Sequence, residues 1–118
     1  MSNPRHRLDK IVESIDNIDF ILHNKEIKTT QAIQDKLIKP AIRMNIVRIA
    51  EQFSKLKEDN AFKILEYFNN QDLRGISAVR NYIAHDYDST DDRIIEDVIR
   101  YNLPQLKATV QKINNELF

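Results

Sequence analysis

Apolar residues near the start of the chain recur at steps of three and four, the spacing of one face of an α-helix rather than of a strand. Leu8, Ile11, Ile15, Ile18, Ile21 and Leu22 predict a first helix over about residues 5–24, with Lys10, Glu13, Asp16 and Asn17 on its outer face. Lys25 to Thr29 reads as a connection, with Thr29 or Thr30 as the next N-cap. A long second segment carries Ile33, Leu37, Ile38, Ile42, Ile46, Ile49 and Phe53 at helical spacing. Pro40 inside it predicts a kink or a short break, because proline lacks the N–H that the helix needs. From Met44 to Ala50 the helix is apolar nearly all round, the pattern of a buried central helix or a subunit interface.

A third helix is expected from about Asn60 to Phe68, then a polar connection from Asn69 to Asp72. Gly75 opens the next segment, in which Ile76, Val79, Ile83 and Ala84 form an apolar stripe with Arg80 beside it. Ser89 with Asp92 resembles a capping box, Asp standing where Glu is usual. It predicts a last helical region from about Thr90 to the end, broken in two where Pro104 can begin a fresh helix.

Composition agrees with helices. One Gly and three Pro in 118 residues are too few for the turns of a β-rich fold. With 42% hydrophobic and 31% charged residues the chain is expected to be globular. It shows no internal repeat, low-complexity tract or linker. The expected fold is all-α, an antiparallel four- to five-helix bundle in a single domain over 1–118.

Charge and cysteine usage narrow the chemistry. Lys plus Arg number 18 and Asp plus Glu number 18, so no global basic field draws in nucleic acid. Any RNA contact must use a local cationic patch, such as a dimer supplies. The absence of cysteine excludes disulfides, thiolate metal sites and a Cys nucleophile, and suits the cytosol. The N-terminus has no apolar leader core, and no segment approaches the ~18 apolar residues of a membrane span. The expectation is a soluble cytoplasmic protein with no membrane contact.

Three histidines are present. His6 and His23 lack neighbours at metal-ligand spacing and read as surface residues. His85 stands in Arg80-Asn81-Tyr82-Ile83-Ala84-His85-Asp86-Tyr87. Arg80, Ala84 and Tyr87 share one helical face, whereas His85 lies roughly 140° round from Arg80. A helix end at His85, or a second copy of the motif from another subunit, brings the two together more readily than one regular helix. The bland alternative is that Arg80 pairs with a carboxylate and His85 sits as a cation at a helix C-terminus, where it is favoured.

Arg80-x4-His85-x-Tyr87 resembles the Arg-x4-His-x-Tyr signature of the HepT-like branch of the HEPN superfamily. Leu8-Asp9-Lys10-Ile11 is similar to that family's opening. Ile49-Ala50-Glu51 resembles its Ile-Gly-Glu-Ala stretch, with Ala50 in place of Gly. Gly75 precedes the Arg-Asn pair as in relatives, and Leu103-Pro104-Gln105-Leu106 resembles the Leu-Pro-x-Leu near the family's end.

The resemblance implies a metal-independent endoribonuclease, a toxin paired with a nucleotidyltransferase antitoxin of the MNT type. It implies a homodimer whose two motifs face each other, RNA as substrate, and no cofactor. His85 would move protons, since histidine titrates near neutrality and can both take and give one. Arg80 would bind the scissile phosphate through its planar fork of donors. Asn81 is a candidate for orienting His85 or the RNA backbone. Glu51 either faces the motif and pairs with Arg80 or is an ordinary surface carboxylate. The resemblance makes Tyr87 a candidate acceptor for AMP. Two other classes stay open: a non-catalytic nucleotide- or partner-binding module working with a nucleotidyltransferase, and a structural bundle that oligomerises through Met44–Ala50.

Overall fold

The computed structural model describes residues 3–24, 28–85 and 92–118. In chain order they form α1 (Pro4–Asn24), α2 (Thr29–Ala32), α3 (Ile38–Glu58), α4 (Phe62–Leu65), α5 (Asn70–His85), α6 (Asp92–Asp97), a π-helical turn (Val98–Asn102) and α7 (Leu103–Leu117). Every regular element among the described residues is helical, so the all-α expectation holds.

Four long rods make the bundle. Helix α3 lies between α1 and α5, the π turn packs on α5, and α7 closes the ring against α1. Ion pairs and hydrogen bonds at the ends fix the antiparallel order. Arg7 at the start of α1 reaches Asp59 beyond the end of α3 at 2.7 Å. Asp92 at the start of α6 lies 3.3 Å from Arg43 and 3.5 Å from Lys39, both near the start of α3. Tyr67 donates to Glu116 near the end of α7 at 2.8 Å. The stripes predicted from spacing in the first two long helices are core: Leu8, Ile11 and Ile18 of α1 and Ile42, Ile46 and Ile49 of α3 are fully buried, joined by Leu106, Val110 and Ile113 of α7. Asn45 is buried among them and satisfied, accepting from Asn17 at 3.2 Å and donating to the Ala41 carbonyl at 2.8 Å. Met44, within the stretch read as apolar all round, is instead 54% exposed.

Several boundaries differ from the sequence reading, each for a local reason. The long second segment does not break at Pro40. It breaks earlier, between α2 and α3, where the Asp35 carboxylate accepts from the amides of Leu37 (2.8 Å) and Ile38 (3.0 Å). Asp35 thereby caps α3, and Pro40 falls in its first turn, where a missing N–H costs little. Leu37, read as core, is 88% exposed at this break.

Asn60 does not start a helix. It adopts a left-handed backbone with φ 59°. The Ala61 amide bonds the Leu56 carbonyl and the Asn60 amide bonds that of Lys57, a Schellman stop to α3. The third helix shrinks to α4. Asn69 is not mid-connection but the N-cap of α5, its side chain accepting from the Gln71 amide at 2.7 Å. Gly75 therefore lies inside α5, not at its start.

A fresh helix does begin at Pro104, with the proline in the first turn of α7, but the chain stays helical across the junction. Proline cannot donate to the carbonyl of Arg100, and its ring would crowd that group. The preceding turn widens instead, the Leu103 amide bonding Val98, five residues back. The π turn delivers Asn102 to α5, where it donates to Asp72 at 2.7 Å beside Gly75. Asp92 opens α6, and its carboxylate is engaged with α3. Ser89, its expected capping-box partner, lies outside the described residues.

Candidate functional site

Helix α5 carries the motif out to its C-terminal end. Ile76, Val79 and Ile83 anchor one face of α5 in the core, which leaves Arg80, Asn81, Tyr82, Ala84 and His85 exposed. Arg80 donates to Asn81 Oδ1 over a long 3.4 Å, its one side-chain hydrogen bond among the described residues. On an α-helix Arg74, Ala78, Asn81 and His85, at i, i+4, i+7 and i+11, fall within about 40° of one line. Arg80 sits on the next face round. Asn81 is thus bonded to Arg80 on one side and is one turn from His85 on the other.

Two grooves flank this line. One lies between the start of α3 and the end of α5. It has a volume of ≈ 410 Å³ and is lined by Lys39, Arg43, Met44, Val47, Arg80 and Ile83 among others. Its floor is apolar and its rim cationic. The other, ≈ 520 Å³, lies between α3, α4 and the first turns of α5, with Lys57, Arg74, Ser77 and Asn81 around Leu65 and Leu73. No carboxylate lines it.

The candidate residues are partly brought together. Arg80, Asn81 and His85 share the exposed end of α5. Glu51 is on the surface of α3, one turn beyond Val47, and among the described residues it makes no ion pair with Arg80. Tyr87 lies outside the described residues, as does Asp86. His23 is satisfied locally, its Nδ1–H donating to the Asp19 carbonyl at 2.8 Å, and His6 is exposed in the first turn of α1. Lys57, Arg74 and Ser77 were missed by sequence reasoning, although the stripe from Arg74 to His85 is legible as helical spacing once α5 is extended back to Asn70. Among the described residues no three His, Cys, Asp or Glu side chains cluster as metal ligands would, and no helix is long and apolar enough to cross a membrane.

Fold and motif define a class: a small all-α bundle presenting an Arg-x4-His pair on one exposed helix end. The chain belongs to the Ribonuclease HepT-like family, whose sequence model matches residues 8–113. That span takes in most of every long helix and both residues of the pair. No curated protein and no solved structure matches the chain.

Proposed function

We propose that this protein is an endoribonuclease that cleaves RNA without a metal, using Arg80 and His85 from each of two chains. The observation that supports this best is the exposed cluster at the end of α5. Arg80, Asn81 and His85 stand together in a ribonuclease family, with no carboxylate bound to Arg80 among the described residues. RNA cleavage needs a base for the 2′-hydroxyl proton and an acid for the leaving 5′-oxygen. His85 supplies one such group per chain, and a homodimer supplies both. Arg80 holds the scissile phosphate and stabilises the charge that grows on it. Asn81 positions the Arg80 guanidinium, and Glu51 is left out of the reaction.

The second copy packs over the groove between α3 and α5, where Met44 is 54% exposed. Pairing two such faces adds the cations that a neutral chain otherwise lacks. In this reading the protein is a single-domain toxin of the cytoplasm. A nucleotidyltransferase antitoxin of the MNT type silences it by transferring AMP to Tyr87. The AMP group adds bulk and negative charge beside a phosphate site.

The deciding experiment is incubation of purified protein with RNA in excess EDTA, alongside Arg80→Ala and His85→Ala. Wild type is expected to cut, and both folded variants to lose cleavage. Undiminished cleavage by both variants would sink the assignment. Tight nucleotide binding with no cleavage by wild type would support the non-catalytic module instead.

A further inference from the structure

We propose that the groove between α3, α4 and α5 is a substrate subsite that holds a nucleotide beside the scissile phosphate, with Lys57 and Arg74 as its phosphate ligands. The identity of the polyanion rests on the ribonuclease reading above; the subsite itself rests on charge, shape and continuity.

Charge comes first. In a chain with no net charge, cations at the helix interfaces are matched: Arg7 with Asp59, Arg43 with Asp92, Lys107 with Asp16. Lys57 and Arg74 differ. They face one groove, no carboxylate lines it, and neither has an ion pair among the described residues. Two like charges on one concave surface raise its affinity for an anion. A second polar groove, between α1 and α3, offers Lys10, Arg48 and Lys55, but Glu13 stands among them and the groove lies on the far side of α3 from the motif.

Shape and lining match a nucleotide. The ≈ 520 Å³ groove has an apolar floor of Phe53, Leu65 and Leu73 against which the face of a base can lie. Ser54, Ser77 and Asn81 offer hydroxyl and amide groups to base edges. Continuity places it on the path of the substrate. Asn81 lines this groove and also accepts the hydrogen bond from Arg80. Along α5 Arg74 is ~9 Å from Arg80 and ~16 Å from His85, on the same stripe as His85. A strand whose scissile phosphate sits on Arg80 passes Asn81 and reaches Arg74 and Lys57 along one helix.

The test is binding of fluorescently labelled single-stranded RNA to the uncut His85→Ala protein, with and without the pair Lys57→Ala and Arg74→Ala. The pair should weaken binding by about tenfold or more near physiological salt, and the slope of log affinity against log salt should fall by about 1.4, two contacts at ~0.7 each. Trimming the oligonucleotide from one end should cause the same loss, after which the pair should cost nothing further. The charge-conserving pair Lys57→Arg and Arg74→Lys should bind like the parent, which separates lost charge from lost fold. Unchanged affinity and slope in the alanine pair, or no RNA binding by the parent, would overturn the subsite. Wild-type cleavage is scored separately. RNA binding through this groove without any cutting would retain the subsite and remove the ribonuclease reading.

Discussion

The two flanks of α3 are built on opposite plans. Toward α1 the core layer is closed, with Ile46 and Ile49 fully buried, Asn45 satisfied and Arg7 tying the far end to Asp59, and the polar groove outside it carries Glu13 among its cations. Toward α5 the core layer of Ala50, Ile76 and Val79 is equally closed, but just outside it the surface opens into two grooves with cations on their rims. One flank carries stability. The other carries exposed groups whose partners must come from elsewhere. Residues that matter for folding and residues that matter for function should therefore separate cleanly by flank.

The sharpest way to break this division is through the motif. His85→Ala and Arg80→Ala should each lower the RNA cleavage rate by about 10²- to 10⁴-fold. Their unfolding midpoints should stay within a degree or two of wild type, since both side chains are exposed. A large drop in midpoint would show that this end of α5 is structural. The converse test is Ile49→Ala on the closed side. It removes most of a fully buried side chain and should destabilise by about 2–5 kcal/mol in urea unfolding.

Gly75→Ala sharpens the contrast within α5. A Cβ there meets Asn102 Nδ2 at 3.5 Å, an ordinary contact, and Gly75 has no left-handed backbone to protect. The variant should gain about 0.5–1 kcal/mol from helix propensity without loss of cleavage. Destabilisation would mean that the crossing with the π turn is tighter than its geometry implies.

The smallest effect is a pH dependence. Lys107 is held above the ordinary lysine value, first by its hydrogen bond to Asp16 and then by the charges of Asp16 and Asp19, with desolvation opposing. Its folded value exceeds its unfolded one. The contribution is therefore complete at neutral pH and is lost as pH rises through the folded value, above 10.5. Thermal melts of wild type and Asp16→Asn should differ slightly at neutral pH and converge in strong alkali. The pair is substantially exposed, so the difference is small.

The rods and their buried faces were legible in the sequence because periodicity reports burial directly. Ile11, Ile15 and Ile18 of α1, or Ile42, Ile46 and Ile49 of α3, needed only their spacing. Helix ends were less legible, because they depend on single polar side chains whose roles are set in three dimensions. Asp35 reads as part of a long helix, Asn60 as the start of one and Asn69 as a connection, yet one caps α3, one stops it and one starts α5. The motif was legible as a string, and its exposure follows from the buried stripe beside it. The groove of Lys57 and Arg74 was not legible. Seventeen positions separate the two, and only the packing of α5 on α3 makes them neighbours.

The π turn before Pro104 has a consequence for how the sequence can change length. Five residues, Val98–Asn102, occupy a turn wider than the α-helical one, and the apolar steps Ile95, Ile99, Leu103 and Leu106 run through it without interruption. A turn bonded five residues back already holds one residue more than an α turn, so losing one of the five would let it close as α-helix with α7 in phase, whereas inserting one more would rotate α7 by about 100° about its own axis. Leu106 and Val110 would leave the interior, and Lys107 would swing away from Asp16. The stretch therefore absorbs a loss more readily than a gain, and the widened turn is the gauge that sets the angular phase of the last helix.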